Sequence, residues 1–261
     1  MDSNLSRLEL SRDWYLEAVD AVPDDRWKAP SLCAEWTAGH VVAHVTTGDQ
    51  LFQGLIMDAI GKDRRGLDLP VDFADRRRRF EELTTKDATT LKTAAHHAAD
   101  GCVETIKEAV ENSPSTMVTV PFGTVPVTTA RALRLNEYII HGHDLEPAIG
   151  KARPIPDWFV DRALADAITM LSRLHQRSPH KGKGARFHVH RTDGEGEWMV
   201  IAENGEAKVE SGHGTGDAAF RGPGHQLYWV LMGRGRPDEL GVEVHGDPAL
   251  AGAFKEWFPG P

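Results

Sequence analysis

Cysteine is scarce in this chain, with only Cys33 and Cys102 among 261 residues. Two thiols that do not form a CxxC pair exclude a disulfide-stapled secreted scaffold and a cysteine-rich zinc or redox motif. A surplus of basic charge is also missing. The formal net charge of -9 argues against nucleic acid or another polyanion as partner. Nowhere does an apolar run reach the roughly eighteen residues that a membrane helix needs. The opening Met1-Asp2-Ser3-Asn4-Leu5-Ser6 lacks a basic stretch followed by an apolar one, so we expect a cytoplasmic protein without membrane association. What remains is a soluble globular composition, 40% hydrophobic and 26% charged. The length allows one large or two ordinary domains, and a monomer or a homodimer.

Histidine is plentiful, with thirteen residues spread from His40 to His245, so spacing decides which of them matter. The first half of the chain reads helical. Leu5, Leu8, Trp14, Leu16 and Val19 form a stripe that stops at Pro23. Thr37 caps a second helix whose apolar positions run from Val41 to Ala59. The charged stretch 62–79, with Arg76-Arg77-Arg78-Arg79 beside Glu81 and Glu82, reads as a solvated face with local ion pairs. A third helix runs from about Asp87 to Val110 and breaks at Asn112-Ser113-Pro114. A short hairpin follows around Met117–Gly123 and Thr124–Val127, after which Thr128 or Thr129 caps a fourth helix. Four long helices so connected suggest a four-helix bundle over residues 1–152, a fold that often holds metals between facing helices.

Residues 153–184 read as a further helix, Pro156 to His175, and a polar linker. From residue 185 to 261 the apolar period becomes two. Strands are expected at 187–190, 198–202, 207–210, 218–222 and 241–246, with helices at 225–232 and 248–257, which makes a small α+β domain.

Glu137 and His141 are four apart on the fourth helix and share a face. His44, one turn after His40 on the second helix, offers a third ligand of the same class. Two imidazoles and a carboxylate with an open fourth position describe a catalytic divalent-metal site, Zn2+ being the first candidate. Taken alone, such a pair is far more often a surface ion pair or a capped core histidine than a metal site, and His40 is either a fourth ligand or a core histidine. Asp144, three residues after His141, could accept the second ring N–H of His141. Cys33 reads as a small buried thiol.

Two stretches carry a resemblance: Leu32-Cys33-Ala34-Glu35-Trp36-Thr37 leading to Val41-Val42-Ala43-His44, and Glu137-Tyr138-Ile139-Ile140-His141-Gly142-His143-Asp144-Leu145. They resemble the DinB-like family of mycothiol-dependent maleylpyruvate isomerases. Phe220-Arg221-Gly222-Pro223, Leu227 to Arg234, and Val244-His245-Gly246-Asp247-Pro248-Ala249-Leu250 are similar to that family's sterol-carrier-protein-like C-terminal domain. The resemblance implies a DinB-like metal-binding bundle followed by this smaller domain, zinc held at His44, Glu137 and His141, and mycothiol as cosubstrate. A metal-lowered thiol pKa would arm the sulfur for attack on a small-molecule electrophile, giving cis–trans isomerisation or S-transfer. Arg221 and Arg234 are the expected cations for an anionic substrate. His143 and His40 depart from the residues usual at those places. Two other readings use the same residues. One is a metal-containing carrier whose pocket is lined by Leu227, Trp229 and Leu231; the other is a hydrolase using zinc-bound hydroxide.

Overall fold

The computed structural model describes residues 3–120 and 123–260; Met1, Asp2, Pro121, Phe122 and Pro261, including the expected hairpin tip, lie outside the described residues. The chain divides into two compact units, Met1–Arg153 and Pro154–Pro261.

The first unit contains α1 (Ser3–Ala21), α2 (Ala38–Ala59), α3 (Phe73–Leu83), α4 (Ala88–Asn112), the hairpin β1 (Met117–Val120) and β2 (Gly123–Pro126), α5 (Val127–Asp144) and the single turn α6 (Glu146–Ile149). Helices α1, α2, α4 and α5 pack on one another as the expected four-helix bundle. Their apolar stripes meet in a core that includes Leu8, Ile56, Leu91, Ile106 and Ile139. Each such side chain stabilises the fold by about 1.5–3 kcal/mol relative to exposure. Asp87 caps α4 by accepting from the backbone N–H of Thr90.

Two local expectations differ from the structure. The charged stretch is not only a solvated face: Asp72 caps α3, which lies against α2. It escapes an apolar-period reading because none of its residues is buried. Helix α5 is not capped by Thr128 or Thr129. It starts at Val127 directly from the hairpin, with Pro126 at the cap position and no side-chain cap bond. The backbone N–H of Val127 is satisfied instead by the carbonyl of Thr116.

The second unit begins with α7 (Asp157–Leu174) and a short 3-10 turn, His175–Arg177. Then come β3 (Ala185–Arg191), β4 (Glu197–Glu203), β5 (Glu206–Ser211), β6 (Ala218–Gly222), α8 (Gly224–Met232), β7 (Glu243–Gly246), α9 (Pro248–Gly252) and α10 (Phe254–Trp257). The strands form one sheet in the order β5-β4-β3-β6-β7, antiparallel except for the central β3–β6 pair. Helix α7 packs on α8 and β5. The core between helices and sheet contains Phe187, Phe220, Phe254 and Phe258, all fully buried or nearly so. The terminal helix expected over 248–257 is two short helices that meet at Ala253.

Candidate metal centre

Helices α2 and α5 pack against each other in the first unit and bring His44, Glu137 and His141 together. The Nε2 of His44 lies 3.3 Å from Oε2 of Glu137, and the Nε2 of His141 lies 3.5 Å from the same oxygen. Metal bonds of about 2.0–2.1 Å in a tetrahedron place neighbouring donors roughly 3.3 Å apart, so this donor set has the right chemistry and spacing for zinc. His141 is nearly buried, at 8% exposure, while His44 and Glu137 keep 27% and 33%. The cluster therefore has a protein-backed side and a side reached by solvent.

The surroundings fix the three side chains. Asp144, fully buried, accepts the Nδ1–H of His141 at 2.9 Å and the thiol of Cys33 at 3.0 Å. That bond holds the proton on Nδ1 and leaves Nε2 facing Glu137, as metal-ligating histidines usually require. Cys33 is half-buried and tied to the site through Asp144, a more specific place than that of an inert core thiol. Beneath Glu137, Arg134 is 3% exposed and pairs with Asp49, itself 1% exposed, at 2.7 Å. Its other guanidinium nitrogen is 3.7 Å from Glu137. The Tyr138 hydroxyl donates to Asp49 at 2.9 Å. Gly48, one turn after His44, leaves room for these cations: a Cβ there would sit 3.0 Å from the guanidinium of Arg134 and 3.6 Å from that of Arg76.

The electrostatics follow from this packing. Burial would raise the Glu137 carboxyl, but the hydrogen bonds of His141 and His44 and the charges of His141 and Arg134 hold it well below the usual carboxylate range. Burial lowers the His44 imidazole against the pull of Glu137, and the charges of His141 and Arg76 add to the lowering. Burial also acts to lower His141, yet its bonds to Asp144, Cys33 and Glu137 raise it well above the usual value. Arg134 stays charged: burial works against the cation, but the combined attraction of Asp49, Tyr138, Glu137 and Cys102 outweighs it.

Arg76, part of the basic run read from the sequence as solvated, turns inward. Its Nη2 donates to the carbonyl of His44 at 3.2 Å and lies 3.3 Å from the Nδ1 of the same ring. Arg77, Arg78 and Arg79 do behave as expected, pairing with Glu81, Glu82, Asp75 and Asp68. On the solvent side, Trp36 packs on His44 with ring centroids 5.0 Å apart, and Phe80 packs on Trp36 at 5.8 Å. The loop that carries Trp36 is bent by Glu35, whose φ of 66° is left-handed. A non-glycine residue there costs on the order of 1 kcal/mol, offset by bonds from Ser31 to the Trp36 carbonyl and from the Leu32 N–H to the Asp144 carbonyl.

The other candidates lie elsewhere. His40 closes a capping box with Thr37, its Nδ1 3.3 Å from the Thr37 N–H nitrogen, so that nitrogen serves the helix start. His143 is bound to Glu146 at 2.9 Å. Arg221 and Arg234 belong to the second unit, where Arg221 pairs with Glu243 at 3.1 Å and Arg234 donates to the carbonyl of Met232 at 2.9 Å. Leu227, Trp229 and Leu231 are buried core residues of that unit.

With this geometry in hand, comparison with known proteins is decisive for the family. The sequence matches the model of the mycothiol maleylpyruvate isomerase N-terminal domain over residues 8–146 and that of the MDMPI C-terminal domain over residues 156–253. The chain belongs to the mycothiol maleylpyruvate isomerase family. It is thus a member of a family of enzymes, as the signature stretches around His44 and Glu137 led us to expect. Among curated proteins nothing matches. Two crystal structures, of the mycothiol-dependent maleylpyruvate isomerase and of a His-to-Ala mutant of it, are each 19% identical to this chain. Each alignment covers 90% of this chain and 89% of the other, with a TM-score of 0.69. At that identity the likeness is one of fold: a helical unit followed by a sheet-containing one. No helix among the described residues is long and apolar enough to cross a membrane.

Proposed function

We propose that the chain is a zinc-dependent enzyme that uses a low-molecular-weight thiol, mycothiol, to isomerise a small cis-alkene dicarboxylate of the maleylpyruvate class. The observation that carries this reading is the convergence of His44, Glu137 and His141 on one space, backed by Asp144 and open on one side. A divalent ion held by those three residues would supply an open coordination position that binds a thiol sulfur and lowers its pKa. The chain's own side chains do the rest. Asp144 orients His141 through Nδ1, and Arg134, fixed by Asp49, holds Glu137 as a carboxylate. The indole of Trp36 and the ring of Phe80 form an apolar wall that keeps water from the thiol and the alkene.

The isomerisation is a balanced cycle. The sulfur adds to one alkene carbon, and the π pair moves onto the neighbouring carbonyl. The new single bond rotates, and the pair returns to expel the sulfur and leave the trans alkene. Negative charge builds on the substrate oxygens during this cycle, and we assign its reception to Arg76, whose guanidinium lies against His44. Neither protein thiol acts as the nucleophile: Cys102 is buried, with its pKa pushed well up by burial and by Asp49, and Cys33 is engaged by Asp144. Two free thiols suit a reducing compartment, and we place the enzyme in the cytoplasm.

The test is turnover of maleylpyruvate by zinc-loaded and metal-free protein, each with and without mycothiol. Activity should require both zinc and thiol. Arg76→Met should raise KM for the dicarboxylate with zinc content unchanged, and the same assay on Arg221→Met and Arg234→Met measures the roles expected of those residues. Ester hydrolysis without added thiol would replace this reading by the hydrolase, and a co-purified apolar ligand without turnover would replace it by the carrier.

A further inference from the structure

A second cluster of ligand-type side chains lies in the other unit, and the thiol chemistry makes no use of it. His188 and His190 are two residues apart on β3 and so share a face of the sheet. The antiparallel register pairs His190 with Glu197 and His188 with Met199. Glu197 at the start of β4 is therefore directly across from one imidazole and diagonal to the other, within reach of both. The Nε2 of His188 and the Nδ1 of His190 are each 2.9 Å from Oε1 of Glu197. His213, from the connection after β5, brings its Nδ1 to 2.8 Å from the same oxygen.

The delivery of His213 is built into the chain. Ser211, the last residue of β5, pairs with Trp198, and the N–H of Gly212 donates to the carbonyl of Glu197 at 2.8 Å. The connection then runs so close to the sheet that a Cβ at Gly216 would lie 2.7 Å from the carbonyl oxygen of Ala218 and 2.9 Å from the backbone nitrogen of His188. Those neighbours are backbone and cannot move aside, so position 216 has to be glycine for the loop to lie where His213 reaches Glu197.

Three ring nitrogens thus converge on one carboxylate oxygen. Such an oxygen offers about two lone pairs, so three N–H donors exceed what it can accept. Turned so that their lone pairs face inward, the same nitrogens and the carboxylate make an N3O donor set, the imidazole-rich combination that suits zinc and neighbouring divalent ions. We propose that His188, His190, Glu197 and His213 form a second divalent-metal site, of the closed four-ligand kind that zinc occupies, which pins the β5–β6 connection to the β3–β4 hairpin.

Hydrogen bonds from His190 and His213 hold the Glu197 carboxyl down to about 2, so it is ionised and ready to ligate at neutral pH. Zinc would lengthen the three nitrogen–oxygen separations from 2.8–2.9 Å to roughly 3.3 Å and draw the His213 ring in towards His188, His190 and Glu197, whose ligand atoms already lie within 4.8 Å of one another. His213, 79% exposed, has the freedom to open the cluster, whereas His188 at 11% is its fixed corner. With all four positions filled by protein, the site is structural, and no substrate position is left open. It shares no residue with the His44, Glu137 and His141 centre.

The test uses tag-free full-length protein, saturated with zinc chloride, dialysed exhaustively against metal-free buffer and assayed for zinc per chain by elemental analysis. Wild type should keep two equivalents, His44→Ala one, His190→Ala one and His44→Ala/His190→Ala none. Glu197→Gln, which keeps the shape and removes the charge, should lose the same equivalent as His190→Ala. Zinc should raise the melting temperature of His44→Ala but not that of the double variant. His213→Ala should weaken this site by more than the about 10–100-fold that loss of an outer hydrogen-bond partner costs. The proposal is overturned if His44→Ala keeps no zinc, or if its zinc survives the addition of His190→Ala. A single equivalent in wild type that is lost in His190→Ala and kept in His44→Ala would support this site and sink the first.

Discussion

Asp49→Asn should be the most damaging conservative substitution near the candidate centre. Asp49 and Arg134 are 1% and 3% exposed and 2.7 Å apart, so neither charge has water to fall back on. The guanidinium also lies over the rings of Phe52 and Tyr138, at 5.3 Å and 5.4 Å from their centroids. Asparagine keeps the shape and can still accept from the Tyr138 hydroxyl, but it leaves Arg134 as a buried cation. Breaking a buried pair from one side costs roughly 3–5 kcal/mol. Glu137, 3.7 Å from the guanidinium, recovers part of this, which points to the lower end, about 3 kcal/mol. For a unit of this size that is a fall in melting temperature of roughly 6–12 °C. Urea unfolding of the metal-free protein, followed by far-UV circular dichroism, measures it. Asp49→Asn/Arg134→Met should recover much of the loss, because it no longer leaves a buried cation without its partner charge. A loss below about 1 kcal/mol for the single variant, or a double variant no more stable than the single, refutes the argument that burial makes each charge depend on the other.

Asp144→Ala removes the acceptor that orients His141, and zinc affinity at the first site should fall by about 10–100-fold without loss of fold, as read by competition with a chelator. His40→Ala deletes the capping box at the start of α2, with an expected cost of about 1 kcal/mol and no change in zinc content; loss of an equivalent would make His40 a ligand after all. Lys255 gives a pH dependence. Its amine donates to the carbonyls of Leu231 and Gly260, and burial, aided by the charge of Arg234, lowers it to about 8 from the ordinary 10.5. The unfolded chain then binds the proton more tightly than the folded one. The penalty is fully present below pH 8 and is relieved as pH rises from about 8 to 10.5, by at most about 3 kcal/mol. Denaturant melts of wild type against Lys255→Met across that range should show the difference, and parallel curves would contradict it.

Much of the first unit is legible in the sequence because its helices carry their own signals. Thr37 and the apolar positions of α2, with Glu137 and His141 four apart on α5, place three residues of metal-ligand type on two helices before any packing is known. Less could be read where the signal depends on packing. Helix α3 has no apolar stripe, and only its contact with α2 shows that Arg76 differs from the three arginines after it. The Asp49–Arg134 pair joins residues that look like two helical surface charges until both prove buried. His188 and His190 read as an alternating strand, and their convergence on Glu197 appears only through the β3–β4 register and the placing of His213. The start of α5 departs from a threonine-capped helix because the hairpin, and not a threonine side chain, satisfies its first N–H.

The most direct measurement is a zinc titration of metal-free protein in which thiol-dependent turnover of maleylpyruvate is recorded at each addition, for wild type, His190→Ala and Glu137→Gln. Turnover should appear with zinc and mycothiol together in wild type, persist in His190→Ala and be lost in a folded Glu137→Gln. Full turnover by the metal-free protein, or a Glu137→Gln variant that binds zinc and turns over as wild type does, would contradict it.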